Sequence, residues 1–197
     1  MKKSIVIGGT GTIGSAVVNL LKENGHHVWS VTRTGEHKMD IENPESIKQF
    51  FTEADKLDTI ICAAGNASFG ALSELTDEQI ILGLTSKLMG QVNICRSGLK
   101  ALKPNGTIIL TGGILAHQPW PETSNIAMVN AGLEGFAKAL ALELPEGQRI
   151  MVIHPPLVKE TAIAMGMDES QSPTAIEVAH AYLKGLEGNN NGDILFV

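Results

Sequence analysis

The feature that most constrains the fold is a glycine-rich turn between a short strand and a helix. The apolar run Ile5–Ile7 ends abruptly in glycines, and an amphipathic helix pattern begins near Thr12. Gly9, Gly11 and Gly14 fit G-x-G-x-x-G in the strand–turn–helix context that gives this motif its meaning. The glycines permit a close approach of the backbone to a ligand, and the helix N-terminus attracts a pyrophosphate. The stretch therefore predicts dinucleotide binding, and a merely structural turn is the alternative.

Composition excludes several classes of function. The 197 residues suffice for one α/β domain, and a net charge of −6 without a Lys/Arg cluster argues against nucleic-acid binding. No apolar run is long enough to span a membrane, and we expect no signal peptide before the first strand. Cys62 and Cys95 are expected to be reduced and buried, because two cysteines make neither a disulfide framework nor a metal site. A cytoplasmic protein is the expectation.

Strand and helix patterns alternate along the whole chain. Strands are predicted at 5–7, 27–31, 38–40, 59–62, 107–110, 149–153 and 193–197. Helices are predicted from 12, at 44–52, at 76–99 with a break at Gly83, from 124 or 125 to 144, and at 173–186. This order predicts a Rossmann-like, doubly wound parallel sheet in three α/β/α layers, forming a single domain over residues 1–197.

Five segments in the right order resemble short-chain dehydrogenases/reductases, a Rossmann-fold family. They are Cys62–Gly65 after the fourth strand, Asp40-Ile41, the helix Leu133–Leu144, the turn His154–Val158 and the final strand Gly192–Val197. The resemblance covers essentially the whole chain and implies an NAD(P) cofactor. The contacts it implies, together with those of the glycine turn, are Gly8, Gly9, Thr10, Gly11, Thr12, Ile13, Gly14, Asp40, Ile41, Ala63, Ala64, Gly65, Pro155, Pro156 and Val158.

Two departures from the family concern the glycine turn and the substrate lid. Gly8, Gly11 and Gly14 also read as G-x-x-G-x-x-G, a spacing of extended and atypical members. Little chain lies between Pro156 and the last helix, where the family forms its substrate lid. A small lid predicts an open or shallow substrate site.

The larger departure concerns proton transfer. The family uses a Tyr-x-x-x-Lys pair on the long helix, and in this chain those positions fall on Ile126 and Asn130. The family's serine position falls on about Gly113, or on Gly112 if the register differs, and the position of its helix asparagine falls on Lys87. The single tyrosine, Tyr182, lies in the last predicted helix and cannot substitute. The usual proton donor is therefore absent.

Four residues are candidates for the missing catalytic roles. Lys87 is expected to point into the cofactor cleft and to bond a ribose hydroxyl or Asn130, and an exposed helix face is its alternative. Asn130 could donate to the ribose hydroxyls or simply bond neighbouring backbone. Thr111 offers a hydroxyl for substrate contact. His117, in a loop beyond the fifth strand, is a possible acid or a surface histidine.

Arg33 follows the second strand, where an acid would bind the ribose hydroxyls of NAD. An arginine forms charge-assisted bonds to a 2′-phosphate, and Thr34 adds a hydroxyl beside it. We therefore predict NADP(H) in preference to NAD(H). A solvated loop arginine is the alternative.

Two function classes remain open from the sequence. One is an NADP(H)-dependent oxidoreductase with non-standard proton donors, acting on an unknown small carbonyl, alcohol, quinone or flavin. The other is a non-catalytic NADP-binding sensor or partner-binding protein. The resemblance also implies a homodimer or homotetramer built on helices at about 86–99 and 125–144. The second of these helices carries small side chains that permit close packing of a neighbouring helix, at Ala127, Ala131, Gly135, Ala139 and Ala141. The alternative is that they pack against the protein's own sheet.

Overall fold

The structure, a computed structural model, describes residues 1–197. Seven strands lie in one sheet: β1 Lys3–Ile7, β2 His27–Thr32, β3 His37–Lys38, β4 Leu57–Cys62, β5 Leu102–Thr111, β6 Arg149–His154 and β7 Ile194–Phe196. Seven α-helices connect them: α1 Thr12–Glu23, α2 Pro44–Glu53, α3 Asp77–Leu82, α4 Gly90–Gly98, α5 Ser124–Leu140, α6 Lys159–Ala164 and α7 Ala175–Glu187. A π-helical segment, Gly83–Met89, joins α3 to α4, and a 3₁₀ turn, Ile114–Ala116, follows β5.

The sheet is parallel throughout, with strand order β3-β2-β1-β4-β5-β6-β7. Alternate residues of each strand face opposite layers. Ile5 and Ile7 pack in the core formed with α2, α4 and α5. Val6 packs in the core formed with α1 and α7. This confirms the predicted Rossmann-like, three-layer single domain.

The order of strands positions the site. β1 lies between β2 and β4, and the chain leaves the sheet toward different sides there, which creates a crevice beyond the carboxyl ends of these strands. The glycine turn after β1 and the loops after β4, β5 and β6 all meet at that edge.

The predicted helix starts are confirmed in detail. Asn43 caps α2 by accepting hydrogen bonds from the backbone of Glu45 and Ser46, with Pro44 at the first helical position. Thr76 starts α3 in a reciprocal capping box with Gln79.

Several boundaries differ from the prediction. α5 ends at Leu140 rather than 144, and the break at Gly83 is a π-helical segment. β5 begins at Leu102 rather than at 107, and residues 104–106 lie inside the strand, where Asn105 adopts a φ of 62° and the register with β4 shifts. Helix α6 was not predicted. No helix is both long and apolar enough to cross a membrane.

Candidate functional site

Two adjoining cavities lie in the crevice at the carboxyl edge of the sheet. The outer cavity, of about 740 Å³, lies over the ends of β1, β2 and β4. The inner cavity, of about 310 Å³, lies over the ends of β4, β5 and β6 and is covered by α6 and the segment after it. Gly65 borders both cavities. The two cavities therefore form one cleft with a junction at Gly65.

The glycine turn forms the base of the outer cavity. Gly8 has a φ of +81°, and a side chain there would meet the carbonyl oxygen of Ala63 at 2.7 Å, so only glycine fits. A side chain on the buried Gly14 would overlap the carbonyl oxygen of Gly8. Gly11, by contrast, is exposed and borders the cavity. The turn thus packs tightly on the protein side and is open on the cavity side.

Most of the predicted cofactor residues border this cleft. In the outer cavity they are Gly8, Thr10, Gly11, Arg33, Thr34, Asp40, Ile41, Ala63, Ala64 and Gly65. In the inner cavity they are Ile13, Gly65, Lys87, Asn130, Pro155, Pro156 and Val158. Gly9, Thr12 and Gly14 do not line either cavity, because Gly9 packs against Ser30 and Gly14 against Gly8 while Thr12 points to solvent.

Arg33 is the one arginine at the outer cavity. It is exposed and forms no ion pair with any carboxylate of the chain. Thr32 and Thr34 border the same cavity. Ser30, two residues before Thr32 on β2, does not border it, because its hydroxyl packs behind Gly9. A free guanidinium is therefore available to an anion at this end.

Lys87 lies at the junction of the two cavities, within the π-helical segment. Such segments are rare insertions that occur frequently at functional sites. Gly65 makes the close approach possible: its φ is +127°, and a side chain there would meet the Cα of Lys87 at 2.8 Å. The neighbouring Ser86 accepts a hydrogen bond from the backbone of Asn66 at 3.1 Å and borders the outer cavity. Lys87 thus borders the inner cavity.

The environment of Lys87 changes its acidity. Burial among apolar groups lowers the pKa of Lys87 to about 8. Its ammonium forms no ion pair, and the predicted hydrogen bond to Asn130 is not formed. An unpaired ammonium with a pKa near 8 can release a proton to a reacting atom in the cavity.

Asn130 lies deep in the inner cavity beside Gly113. It is only 1% exposed, and its Oδ1 has no hydrogen-bond partner. A side chain at position 113 would meet Nδ2 of Asn130 at 2.8 Å. Ile126, at the family's tyrosine position, also lines this cavity. Asn130 lines the inner cavity, and its buried amide oxygen has no partner within the protein, which leaves an acceptor for a ligand hydroxyl.

The prediction that Thr111 contacts substrate is wrong. Its hydroxyl is 2.8 Å from the Tyr182 hydroxyl, in the layer of α7 on the other face of the sheet. Gln91 fixes the Thr111 backbone by donating to its carbonyl at 2.9 Å and accepting from its N–H at 3.1 Å. Tyr182 is fully buried, and desolvation raises its pKa above the ordinary value. Neither hydroxyl reaches the inner cavity.

The rest of the inner cavity is apolar. Its mouth carries partly exposed large side chains: Phe69, Trp120, Met165 and Met167. Both methionines come from the short stretch between Pro156 and the last helix, where a small lid was predicted. No carboxylate borders this cavity. The site therefore suits an uncharged, apolar molecule rather than a cationic one.

Sequence reasoning missed one cluster behind this cavity. His117 does not face the cavity; its Nε2 lies 2.7 Å from Glu134, which in turn lies near the fully buried His154. These residues are far apart in sequence, so only the fold brings them together. No group of three or more His, Cys, Asp or Glu side chains is placed to hold a metal ion.

The residues of the cleft fit the dinucleotide that the glycine turn predicts. The turn leaves the cavity side free of side chains at Gly11, Arg33 offers an unpaired cation, and the Oδ1 of Asn130 is an orphaned buried acceptor. These features lie in the order expected for pyrophosphate, adenine-side ribose and nicotinamide-side ribose.

Known proteins are similar over the whole chain. A family model described as enoyl-(acyl carrier protein) reductase matches residues 9–187. The crystal structure of the protein lin1944 from Listeria innocua is 34% identical, with a TM-score of 0.94 and 100% of both chains covered. A small-chain dehydrogenase in complex with NADPH is 26% identical, with a TM-score of 0.90, over 100% of this chain and 96% of that one.

Curated relatives are more distant. A 3-ketodihydrosphingosine reductase of Bacteroides thetaiotaomicron is 25% identical over 77% of this chain, which spans 62% of that protein's length. A 3-oxoacyl-(acyl-carrier-protein) reductase of Mus musculus is 25% identical over 94% of this chain and 91% of its own length.

Proposed function

Since this chain belongs to the short-chain dehydrogenase/reductase family, we propose that it is an NADP(H)-dependent oxidoreductase whose proton donor is Lys87. The observation that carries the proposal is the placement of an unpaired lysine at the junction of the two cavities. The structure of a relative in complex with NADPH supports the cofactor. We also propose the cytoplasmic location that the sequence led us to expect. The two free, buried cysteines agree with it.

In this proposal the outer cavity holds the adenine half of the cofactor, and the inner cavity holds the nicotinamide and the substrate. Bound NADPH supplies the hydride for reduction of a carbonyl carbon. Lys87 donates a proton to the carbonyl oxygen, which completes the alcohol, and regains a proton from solvent. Asn130 accepts a hydrogen bond from a ribose hydroxyl through its unpaired Oδ1. The apolar mouth binds the substituents of a small neutral aldehyde or ketone.

A panel assay tests the reaction. NADPH consumption is measured with apolar aldehydes, ketones, quinones and flavins. Turnover of one or more neutral apolar compounds is expected. If NADPH binds tightly and no compound is turned over, the sensor or partner-binding alternative replaces this proposal.

Arg33 is expected to select NADP(H). Arg33→Ala should weaken NADPH binding by roughly 1.5–3 kcal/mol, or about 10- to 150-fold, because a charge-assisted contact to the 2′-phosphate is lost. NADH binding should not change. Both affinities are measured by fluorescence titration. Lys38→Ala is the matched control, because Lys38 is an exposed cation of the neighbouring strand that does not border the cavity. Equal wild-type affinity for NADH and NADPH would contradict the prediction.

We also propose a homodimer or homotetramer. On α5, Ala131, Gly135 and Ala139 are exposed, so these small residues do not pack against the protein's own sheet. Light scattering at micromolar concentration should give two or four times the 20.9 kDa of one chain. Gly135→Arg should reduce this mass, and the fold should tolerate it because a side chain there meets nothing within 4 Å. A monomeric wild-type mass would refute the proposal.

A further inference from the structure

A cluster of charged and titratable side chains lies directly behind the inner cavity. Oε1 of Glu134 lies 2.7 Å from Nε2 of His117 and 3.4 Å from Nε2 of His154. Oε2 of Glu134 lies 3.7 Å from the ammonium of Lys138. Glu134 is 8% exposed and His154 is fully buried, whereas nearly half of the His117 side chain is exposed. One carboxylate thus connects a buried imidazole to one at the surface.

His154 holds the backbone that forms the wall of the inner cavity. Its Nδ1 lies 2.8 Å from the N–H nitrogen of Gly113 and 2.7 Å from the carbonyl oxygen of the same residue. Gly113 is extended, so its N–H and C=O point to the same side and both reach the ring. The ring also packs against Gly112, where a side chain would meet Nδ1 at 2.7 Å. Gly112 and Gly113 both border the cavity.

One ring nitrogen cannot accept from the N–H and donate to the carbonyl at the same time. The carboxylate of Glu134 faces Nε2 and would repel a lone pair there, so it favours a proton on Nε2. Neutral His154 then accepts a hydrogen bond from the Gly113 N–H. Protonated His154 carries a hydrogen on Nδ1 as well and donates instead to the Gly113 carbonyl. The protonation state therefore selects which Gly113 group is bound.

The surroundings of His154 shift its pKa in opposite directions. Burial lowers the pKa of His154, and the nearby His117 and Lys87 lower it further, while the bond to Gly113 and the charge of Glu134 raise it. The pKa of His154 in the folded protein lies below its unfolded value of about 6.5. The neutral His154 ring therefore contributes to the stability of the fold above about pH 6.5. That contribution is lost as the pH falls through the folded pKa.

We propose that His154 is a positioning residue: it fixes the Gly113 peptide beside Asn130, and Glu134 with His117 sets the state in which it does so. The consequence is a substrate cavity whose wall is correctly placed only while His154 is neutral. The role in substrate binding rests on the proposed function, whereas the coupling of His154 to Gly113 does not.

Nuclear magnetic resonance of the labelled, cofactor-free protein tests the coupling. The His154 ring and the Gly113 amide are followed from about pH 8 to about pH 5. The neutral ring should carry its proton on Nε2, and the Gly113 amide should shift with a midpoint below 6.5. Glu134→Gln should lower this midpoint by about one pH unit, because it removes the negative charge facing Nε2. His154→Gln should abolish the inflection.

His26→Gln is the matched control. His26 also has a pKa lowered by burial, but it bonds Ser4 at the other end of the sheet, at 2.9 Å. That variant should leave the Gly113 inflection unchanged. A proton on Nδ1 of the neutral ring, or an inflection that persists in His154→Gln, would overturn the proposal. If His154→Gln does not fold, an unchanged midpoint in Glu134→Gln overturns it alone.

A kinetic measurement separates this proposal from the proposed function. With a substrate from the panel, His154→Gln should raise KM about 10-fold. A decline of kcat/KM as the pH rises through about 8, which is expected from the deprotonation of Lys87, should remain in this variant. An unchanged KM would contradict the positioning role. If wild-type protein turns over nothing, the proposed reaction fails, and the Gly113 titration still decides whether His154 controls the peptide.

Discussion

Replacing Lys87 with methionine is expected to reduce turnover of a carbonyl substrate by about 10²- to 10⁴-fold, the usual contribution of a general acid. Methionine has a similar length and suits the apolar surroundings but carries no proton. The fold should survive, because the lowered pKa means that the charged ammonium opposes the folded state. Thermal unfolding at neutral pH should therefore occur at the same or a higher temperature than in the wild type.

Lys87→Arg separates the two roles of this cation. Arginine keeps the positive charge but does not release a proton in proteins. If Lys87 is the acid, Lys87→Arg binds NADPH and fails in turnover. If Lys87 only holds the cofactor, Lys87→Arg keeps most of the turnover. Full turnover by Lys87→Met would exclude both roles.

The pH profile provides an independent check on Lys87. In the reductive direction the protonated form is required, so kcat/KM should fall as the pH rises through about 8. This decline should be absent from the residual activity of Lys87→Met. A wild-type profile that is flat between neutral pH and pH 10 would contradict the role of Lys87 as the acid.

Gly11→Val is expected to lower NADPH affinity by about 100-fold or more, that is by at least ~2.7 kcal/mol. The exposed Gly11 borders the outer cavity, and its added side chain would occupy the space into which the pyrophosphate must come. Inside the protein that side chain meets only the carbonyl oxygen of Gly8, at 3.3 Å. Binding is measured by fluorescence titration and folding by circular dichroism.

Gly11 is a better position than Gly14 for this test. Gly14→Val would overlap backbone of the same turn and would damage the fold together with the site. Gly11→Ala provides an intermediate size, and its loss of affinity should lie between those of the wild type and Gly11→Val. Normal binding by Gly11→Val would show that the phosphates do not approach the turn at this residue.

Features that depend on residues adjoining in the chain were predictable without the fold. The turn at Gly8–Gly14 was predictable because strand, glycine spacing and helix adjoin in the chain. The cap at Asn43 and the capping position of Thr76 follow from local hydrogen bonds. The alternation of strands and helices was sufficient for the parallel sheet, because each parallel connection requires a crossover.

The directions in which the candidate side chains point depended on the packing of distant elements. Thr111 follows Ile109 by two residues on β5, so both face the layer of α7, and the Thr111 hydroxyl meets Tyr182. Periodicity of two places Thr111 and Ile109 on one face but does not say which helices cover that face. The predicted substrate contact therefore could not be checked from the sequence.

The lysine and the histidine cluster depended on the fold in different ways. The resemblance placed Lys87 near the site, but its position at the cavity junction depends on the π-helical segment and the space at Gly65. His117, Glu134 and His154 come from a loop, a helix and a strand end, and no spacing rule connects them. Local pattern determined the elements of this protein, whereas the protonation chemistry of its site was decided by burial and by contacts between residues distant in sequence.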